Sequence, residues 1–252
     1  MVKMGVGRSM PYSTVIYAGK DHVAYITLNR PEAANSLNIE SAQELADACR
    51  RANRDDDIYV IVLSGAGDKA FCGGGEAGLS VASAVATIEK PVIAAINGDA
   101  LGQGLELALG CDIRLASDKA RLGFPELAKG LIPADGGTQR LARLVGRGKA
   151  LELLLTAESI TAAEALEIGL VDRVVGGAKL ADEARVLAES IAEKGPIALR
   201  FIKEAVNKGL DMTLEQGLRL EGDLYFLLHT TADRTEGITA FLKKKKPKFE
   251  NK

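Results

Sequence analysis

Two stretches constrain the fold more than any other feature of the chain. IYVIVLSG at 58–65 and PVIAAING at 91–98 are apolar at almost every position. A strand with one wet face alternates. An unbroken short apolar run suits a strand covered on both faces, as in a parallel sheet packed between helices. Each run ends in glycine, and a Gly-rich segment follows each, FCGGGEAG at 71–78 and LGQGLELALG at 101–110. An α/β fold is the expectation. DIRLAS (112–117) and ARLGF (120–124) read as further strands. TVIYAG and HVAYITLN read as a strand pair with a turn near Gly19-Lys20-Asp21, and VDRVV (171–175) as a lone strand. Residues 38–53 read as a helix with Ile39, Ala42, Leu45, Ala46 and Cys49 on one face and Asn38 as N-cap.

After Pro133 the pattern turns helical. Thr161 with Glu164, Thr213 with Gln216 and Asp233 with Glu236 have the spacing of capping boxes. Pro196 suits a first helical turn. Leu180, Ala184, Leu187, Ala188 and Ile191 form one apolar stripe, and Phe201, Ile202, Ala205 and Val206 another. The layout is an α/β core over 1–190 and a helical region over 191–252. KKKKPK at 243–248 is the one charge run, read as a solvated, frayed terminus, with a nuclear-localisation signal as the alternative.

Composition narrows the function. Charges balance to −2 and aromatics are 4%, with no Trp, so neither a basic footprint nor a stacking platform for nucleic acid is expected. Cys49, Cys72 and Cys111 have neither disulfide nor zinc spacing, and a reducing, cytoplasmic setting is the simple reading. No 18-residue apolar run is present, so no membrane span is expected. Residues 1–11 read as a frayed leader without the apolar core of a signal peptide.

Hydrolase and P-loop signatures do not occur, and neither His22 nor His229 lies beside a nucleophile motif. Cys72 is read as a small buried residue at a strand end rather than a nucleophile. Gly102-Gln103-Gly104 opens a helix after a buried strand but lacks the third glycine of a dinucleotide fingerprint. Free N–H groups there and in the 71–78 loop could converge on one oxygen; the plainer alternative is a tight turn with water on its amides. Glu106 and Glu126 each stand in an apolar run. A buried carboxylate needs a partner, or its proton affinity rises toward a useful acid–base range. Each alone could instead be an ordinary surface residue.

These residues lie within ITLNRPEAANSLN (26–38), FCGGGE (71–76), KPVIAAINGDALGQGLELALGCDIRLAS (90–117), LGFPELAKGLIPADGGTQRL (122–141) and ITAAEALEIGLVDRVV (160–175). Through them the chain resembles the crotonase superfamily, the enoyl-CoA hydratase/isomerase group, over almost its whole length. The resemblance implies a spiral of ββα turns with a C-terminal helical trimerisation region. It implies an acyl-CoA thioester substrate, a homotrimer or homohexamer, and no metal or redox cofactor. It implies an oxyanion hole from the N–H groups of Gly75 and Gln103, acid–base roles for Glu106 and Glu126, and CoA contacts at Ala33, Ala34 and Gly73. Lys243 to Lys246 are then candidates for the CoA phosphates. Both glutamates together favour hydration of a 2-enoyl-CoA or dienoyl-CoA. The alternatives are isomerisation or hydrolysis of a CoA thioester, and an assembly subunit without activity. Four departures from the family pattern stand out: Gln103 in place of the usual Gly, Gly75 in place of Ala or larger, Ala134-Asp135 before GGTQRL, and a short 76–90 stretch, from which a more open acyl pocket is expected.

Overall fold

The computed structural model describes residues 12–76 and 78–252, so the leader expected at 1–11 lies outside the described residues. Strands β1 (Val15–Lys20) and β2 (Val23–Leu28) form an antiparallel hairpin. The turn is Asp21-His22, both at positive φ, as a two-residue hairpin turn demands. Gly19 and Lys20 belong to the ladder rather than the turn, because they pair with Ala24 and Val23. Helix α1 (Ile39–Arg54) starts at Asn38, whose side chain and that of Ser41 exchange the two bonds of a capping box. Such a cap contributes about 1 kcal/mol.

A repeated unit follows. β3 (Val60–Gly65), β4 (Ala70–Cys72) and α2 (Val81–Ala86) make one turn, and β5 (Val92–Ile96), β6 (Asp99–Leu101) and α3 (Gln103–Leu109) the next. β7 (Ile113–Ser117) and β8 (Arg121–Gly123) begin a third, which runs through a 3-10 turn at Pro125–Lys129 into α4 (Gly137–Val145) and α5 (Arg147–Thr156). β9 (Ser159–Thr161), α6 (Ala162–Glu167), β10 (Arg173–Val175) and α7 (Leu180–Ala192) complete the sheets and their cover. Helices α8 (Pro196–Gly209), α9 (Leu214–Leu228) and α10 (Ala232–Leu242) end the chain. The long strands build a six-stranded sheet in the order β1-β2-β3-β5-β7-β10, and the short ones a four-stranded sheet, β4-β6-β8-β9. This is the spiral of ββα turns expected.

The apolar runs explain the layering. Ile61 and Leu63 of β3, with Val92, Ala94 and Ile96 of β5, enter the main core. Their neighbours Val60, Val62, Ile93 and Ala95, with Leu115, face the opposite side and pack under Leu180, Ala184, Ala188 and Ala192 of α7. Successive residues of a strand point to opposite faces, so only a continuous apolar run satisfies both.

Two expectations are corrected. VDRVV is no lone strand: β10 pairs in parallel with β7 and closes the edge of the large sheet. Asp233 caps no helix. Thr231 caps α10 by accepting from the Arg234 N–H, while the buried Asp233 carboxylate accepts the N–H groups of Glu250 and Asn251. The C-terminal segment is therefore tied down rather than frayed. The boxes at Thr161 and Thr213 form as predicted, and Pro196 opens α8.

The stripe on α8 is not core. Ile202 and Val206 are exposed, and so are Leu210, Leu214, Phe226, Phe241 and Leu242, with Phe241 reaching 82%. Among the described residues no helix is long and apolar enough to cross a membrane.

Candidate active site

Helix α3 starts where the second strand of its turn ends, and Gly104 lets it lie directly on the Cys72 carbonyl of β4. That contact brings the 73–76 loop beside the first turn of α3. Above them opens a cleft of about 760 Å³. Its walls include Ala33, Gly73, Gly75, Gln103, Glu106 and Glu126, residues from four separate segments of the chain. Ala34 lies behind this wall: it is exposed, and its carbonyl accepts the Gly73 N–H at 2.9 Å.

Glu106 is fully buried one turn into α3. Its Oε1 accepts the N–H of Asp135 at 2.7 Å and of Gly137 at 2.8 Å. Gly137 is the first residue of α4, so the carboxylate also meets the positive end of a nine-residue helix. A side chain at 137 would press on Phe124, Pro133 and Glu106 Oε1 itself, which is why glycine stands there. Oε2 of Glu106 has no hydrogen-bond partner among the described residues. Burial pushes the Glu106 carboxyl above the usual carboxylate range, as does the charge of Asp135; the two N–H donors and Arg140 pull the other way.

Glu126 enters from the 3-10 turn after Phe124-Pro125. It is half-buried and lies against Gly102, whose φ of 54° and bare Cα leave room for the carboxylate. Its Oε2 is likewise buried without a partner among the described residues. Burial raises its proton affinity, and the charge of Glu106 raises it further. Two carboxyl groups of raised proton affinity thus line one cleft, each with one oxygen unpartnered among the described residues. The Gly75 and Gln103 backbone N–H groups also lack a partner among the described residues. Arg30 and Lys129 are the cationic side chains on the cleft wall. Lys246 instead pairs with Glu193 of its own chain at 2.6 Å.

Several supporting residues were not singled out by sequence. Asn35 is buried and ties the Arg30 N–H to the Ala66 and Ala70 carbonyls, which fixes the 30–36 segment against β4. Asp135 stood out only as a departure. Its carboxylate accepts the Ala82 and Ser83 N–H groups and the Ser83 hydroxyl, while its own N–H holds Glu106. It thereby joins the start of α2 to the acid–base residue. Among the described residues 78–90 contribute nothing to the cleft lining; the wall there is Leu131, Ile132, Pro133 and Ala134, with Ile132 73% exposed. Cys72 is buried, its thiol pushed up to about 11 by burial, and its Sγ donates to the Gly74 carbonyl. It is a core residue at a strand end.

Comparison with known proteins agrees with this architecture. The enoyl-CoA hydratase/isomerase family model matches residues 18–252. A crotonyl-CoA hydratase of Syntrophomonas wolfei is 40% identical, over 96% of this chain and 100% of its own. A short-chain-enoyl-CoA hydratase of Clostridium acetobutylicum is 39% identical, over 94% and 97%. The crystal structure of an enoyl-CoA hydratase from Bacillus anthracis superposes with a TM-score of 0.92 at 40% identity, covering 95% of this chain and all of that one.

Proposed function

The chain belongs to the enoyl-CoA hydratase/isomerase family, and from that premise we propose that it adds water reversibly to a 2-enoyl-CoA or dienoyl-CoA thioester, forming the 3-hydroxyacyl-CoA. The observation that carries the reading is the pair of carboxyl groups on one cleft, Glu106 and Glu126, each with a buried oxygen that has no partner among the described residues. The thioester carbonyl lies between the N–H groups of Gly75 and Gln103. Their hydrogen bonds strengthen as charge moves onto the oxygen, so they lower the barrier rather than merely bind.

The environments divide the labour. Two N–H donors, Arg140 and the start of α4 favour ionised Glu106, whereas the Glu106 charge disfavours ionised Glu126. Glu106 therefore orients a water and takes its proton as the oxygen bonds to Cβ. Glu126 gives its proton to Cα, and exchange with solvent restores both groups. Dehydration uses the same groups in reverse. The reaction balances with water alone and calls for no metal or redox cofactor. Backbone at Ala33, Ala34 and Gly73 holds the adenine end of CoA, and Arg30 and Lys129 meet its phosphates. The names of the two relatives favour a short acyl chain. Free, buried thiols suit a reducing, cytoplasmic setting.

A mass-resolved assay with 2-enoyl, 3-enoyl, cyclic dienoyl and 3-hydroxyacyl CoA thioesters tests this. The expected result is gain of one water by a 2-enoyl or dienoyl substrate. A rearranged product of unchanged mass, or release of free CoA, would overturn hydration in favour of isomerisation or hydrolysis.

The same reading covers the apolar residues of α8 to α10. The described residues up to 190 form the core with the site, and 191–252 form the contact of a homotrimer or homohexamer. An exposed apolar face of this kind is otherwise an aggregation liability. Sedimentation should give three or six protomer masses. Phe241→Asp with Leu242→Asp should shift it toward the single-chain mass of 26.6 kDa. An unmodified protein that sediments as a monomer would contradict the assembly.

A further inference from the structure

We propose that the Gln103 side chain is a positioning residue: it clamps the loop that carries the Gly75 N–H, and it can do so because residue 75 has no side chain. The use of that N–H rests on the hydratase reading above; the clamp itself rests on geometry.

Gln103 Nε2 donates to the Glu76 carbonyl at 2.9 Å, one residue beyond Gly75. On its other side the loop is held by Leu37, whose N–H donates to the Gly74 carbonyl and whose carbonyl accepts the Glu76 N–H. Gly75 thus hangs between a strand-like bridge and a single side-chain amide. The segment needs such a tie. Gly73, Gly74 and Gly75 stand in a row with Gly78 close behind, and Gly74 and Gly78 adopt φ of 122° and 88°. Glycines lose the most conformational freedom on ordering, so an untied loop would leave the N–H direction poorly fixed.

The two departures from the family pattern prove to be one spatial arrangement. A Cβ on Gly75 would overlap Gln103 Oε1, so the amide occupies the space a side chain at 75 would take. That Oε1 is buried with no partner among the described residues. A buried acceptor without a donor costs stability. Such an atom needs a reason, and placement of the neighbouring N–H supplies one. Residue 103 then contributes one donor through its backbone and steadies the other through its side chain. A 1 Å error in such a donor is enough to cost up to about a hundredfold in rate.

The test is a cycle of Gly75→Ala and Gln103→Ala, singly and together, read with crotonyl-CoA as probe. Gln103→Ala keeps its backbone N–H, and kcat should fall about tenfold with KM within about twofold. Hydrogen exchange across 73–78 should quicken. Gly75→Ala alone should cost about a hundredfold, because the new Cβ presses on the buried amide and pushes the loop, with its N–H, out of place. In the double variant most of that added loss should vanish, since the overlap with the amide is gone and the next contacts, with Leu37, stand at 3.0 Å. Gln103→Glu, which cannot donate to Glu76, should behave like Gln103→Ala. An equal cost of Gly75→Ala in both backgrounds, or unchanged exchange in Gln103→Ala, would overturn the clamp. Should the unmodified protein hydrate no enoyl-CoA, the hydratase reading falls separately. Exchange, and the melting temperatures of the four proteins, then decide the clamp: a larger melting loss from Gly75→Ala with Gln103 than with Ala at 103 supports it, and equal losses refute it.

Discussion

Replacing Glu106 by glutamine is expected to cut kcat for 2-enoyl-CoA hydration by about a thousandfold and to leave the fold standing. The fold survives because a glutamine Oε1 can keep both backbone bonds, from Asp135 and Gly137. What is lost is the carboxylate that takes the water's proton, held in place by the Asp135 and Gly137 N–H groups. Stability should not fall, and the sign can be worked out. Burial raises the Glu106 proton affinity in the folded state. The folded chain then holds that proton more tightly than the unfolded chain does. Stability is lost as pH rises from the ordinary glutamate range through the raised one. Near neutral pH a glutamine escapes that loss, so Glu106→Gln should melt at or above the temperature of the unmodified protein. Glu126→Gln should lose a similar factor in rate, and the double variant little more than either, since the two act in one step. The pH profile gives a second check. The acid limb of kcat/KM follows protonation of Glu106 and the alkaline limb ionisation of Glu126, as a coupled pair. Residual activity of Glu126→Gln should therefore lack the alkaline limb. Full activity in both single variants would remove the acid–base assignment.

The two glutamates were conspicuous in the sequence for a physical reason, while their acid–base roles are what the family resemblance implies. A charged residue in an apolar run is conspicuous, and both glutamates stand in such runs. The large sheet was legible on the same ground, since β3 and β5 must be apolar on both faces. The small sheet was legible only at β8, within ARLGF. β4, β6 and β9 span three residues each, too few to show any period; in the large sheet, β10 was legible as a strand but its pairing with β7 was not. Asp233 misled because capping is a matter of backbone angle as well as spacing. Thr231 has the extended conformation of an N-cap, and Asp233 lies inside the helix. Asn35, Asp135 and the Gln103 amide share a different obscurity. Each acts across a long sequence separation, on carbonyl or N–H groups brought near only by the spiral. Local pattern carries no trace of such a bond.

Gly104→Ala is expected to have the largest effect on stability, more than about 4 kcal/mol, or a fall in melting temperature on the order of 10 °C. A Cβ at 104 would overlap the Cys72 carbonyl oxygen and crowd the Cys72 carbon and Cβ at 2.7 and 2.9 Å. None of these is the loose end of a long side chain. The first two are backbone of β4, held in the small sheet by its pairing with β6, and Cys72 itself is fully buried. Helix α3 cannot retreat either, because Leu105, Leu107 and Ala108 are buried in the main core. A close-packed interior has no slack to absorb the added carbon. Gly148→Ala is the matched comparison. Gly148 lies in the first turn of α5 with nothing within 4 Å of the added carbon, and the change there should be neutral or stabilising by up to about 1 kcal/mol. Equal melting of the two variants would show that the α3–β4 contact does not determine stability. The consequence for chemistry follows from the same geometry. Gly104 sets how closely α3 approaches the end of β4, and the N–H groups of Gln103 and Gly75 stand just before and just after that contact. Any separation that relieves the clash moves the two donors apart. Molecules of Gly104→Ala that remain folded should therefore bind a CoA thioester yet turn it over far more slowly, a loss in kcat beyond what the unfolded fraction explains.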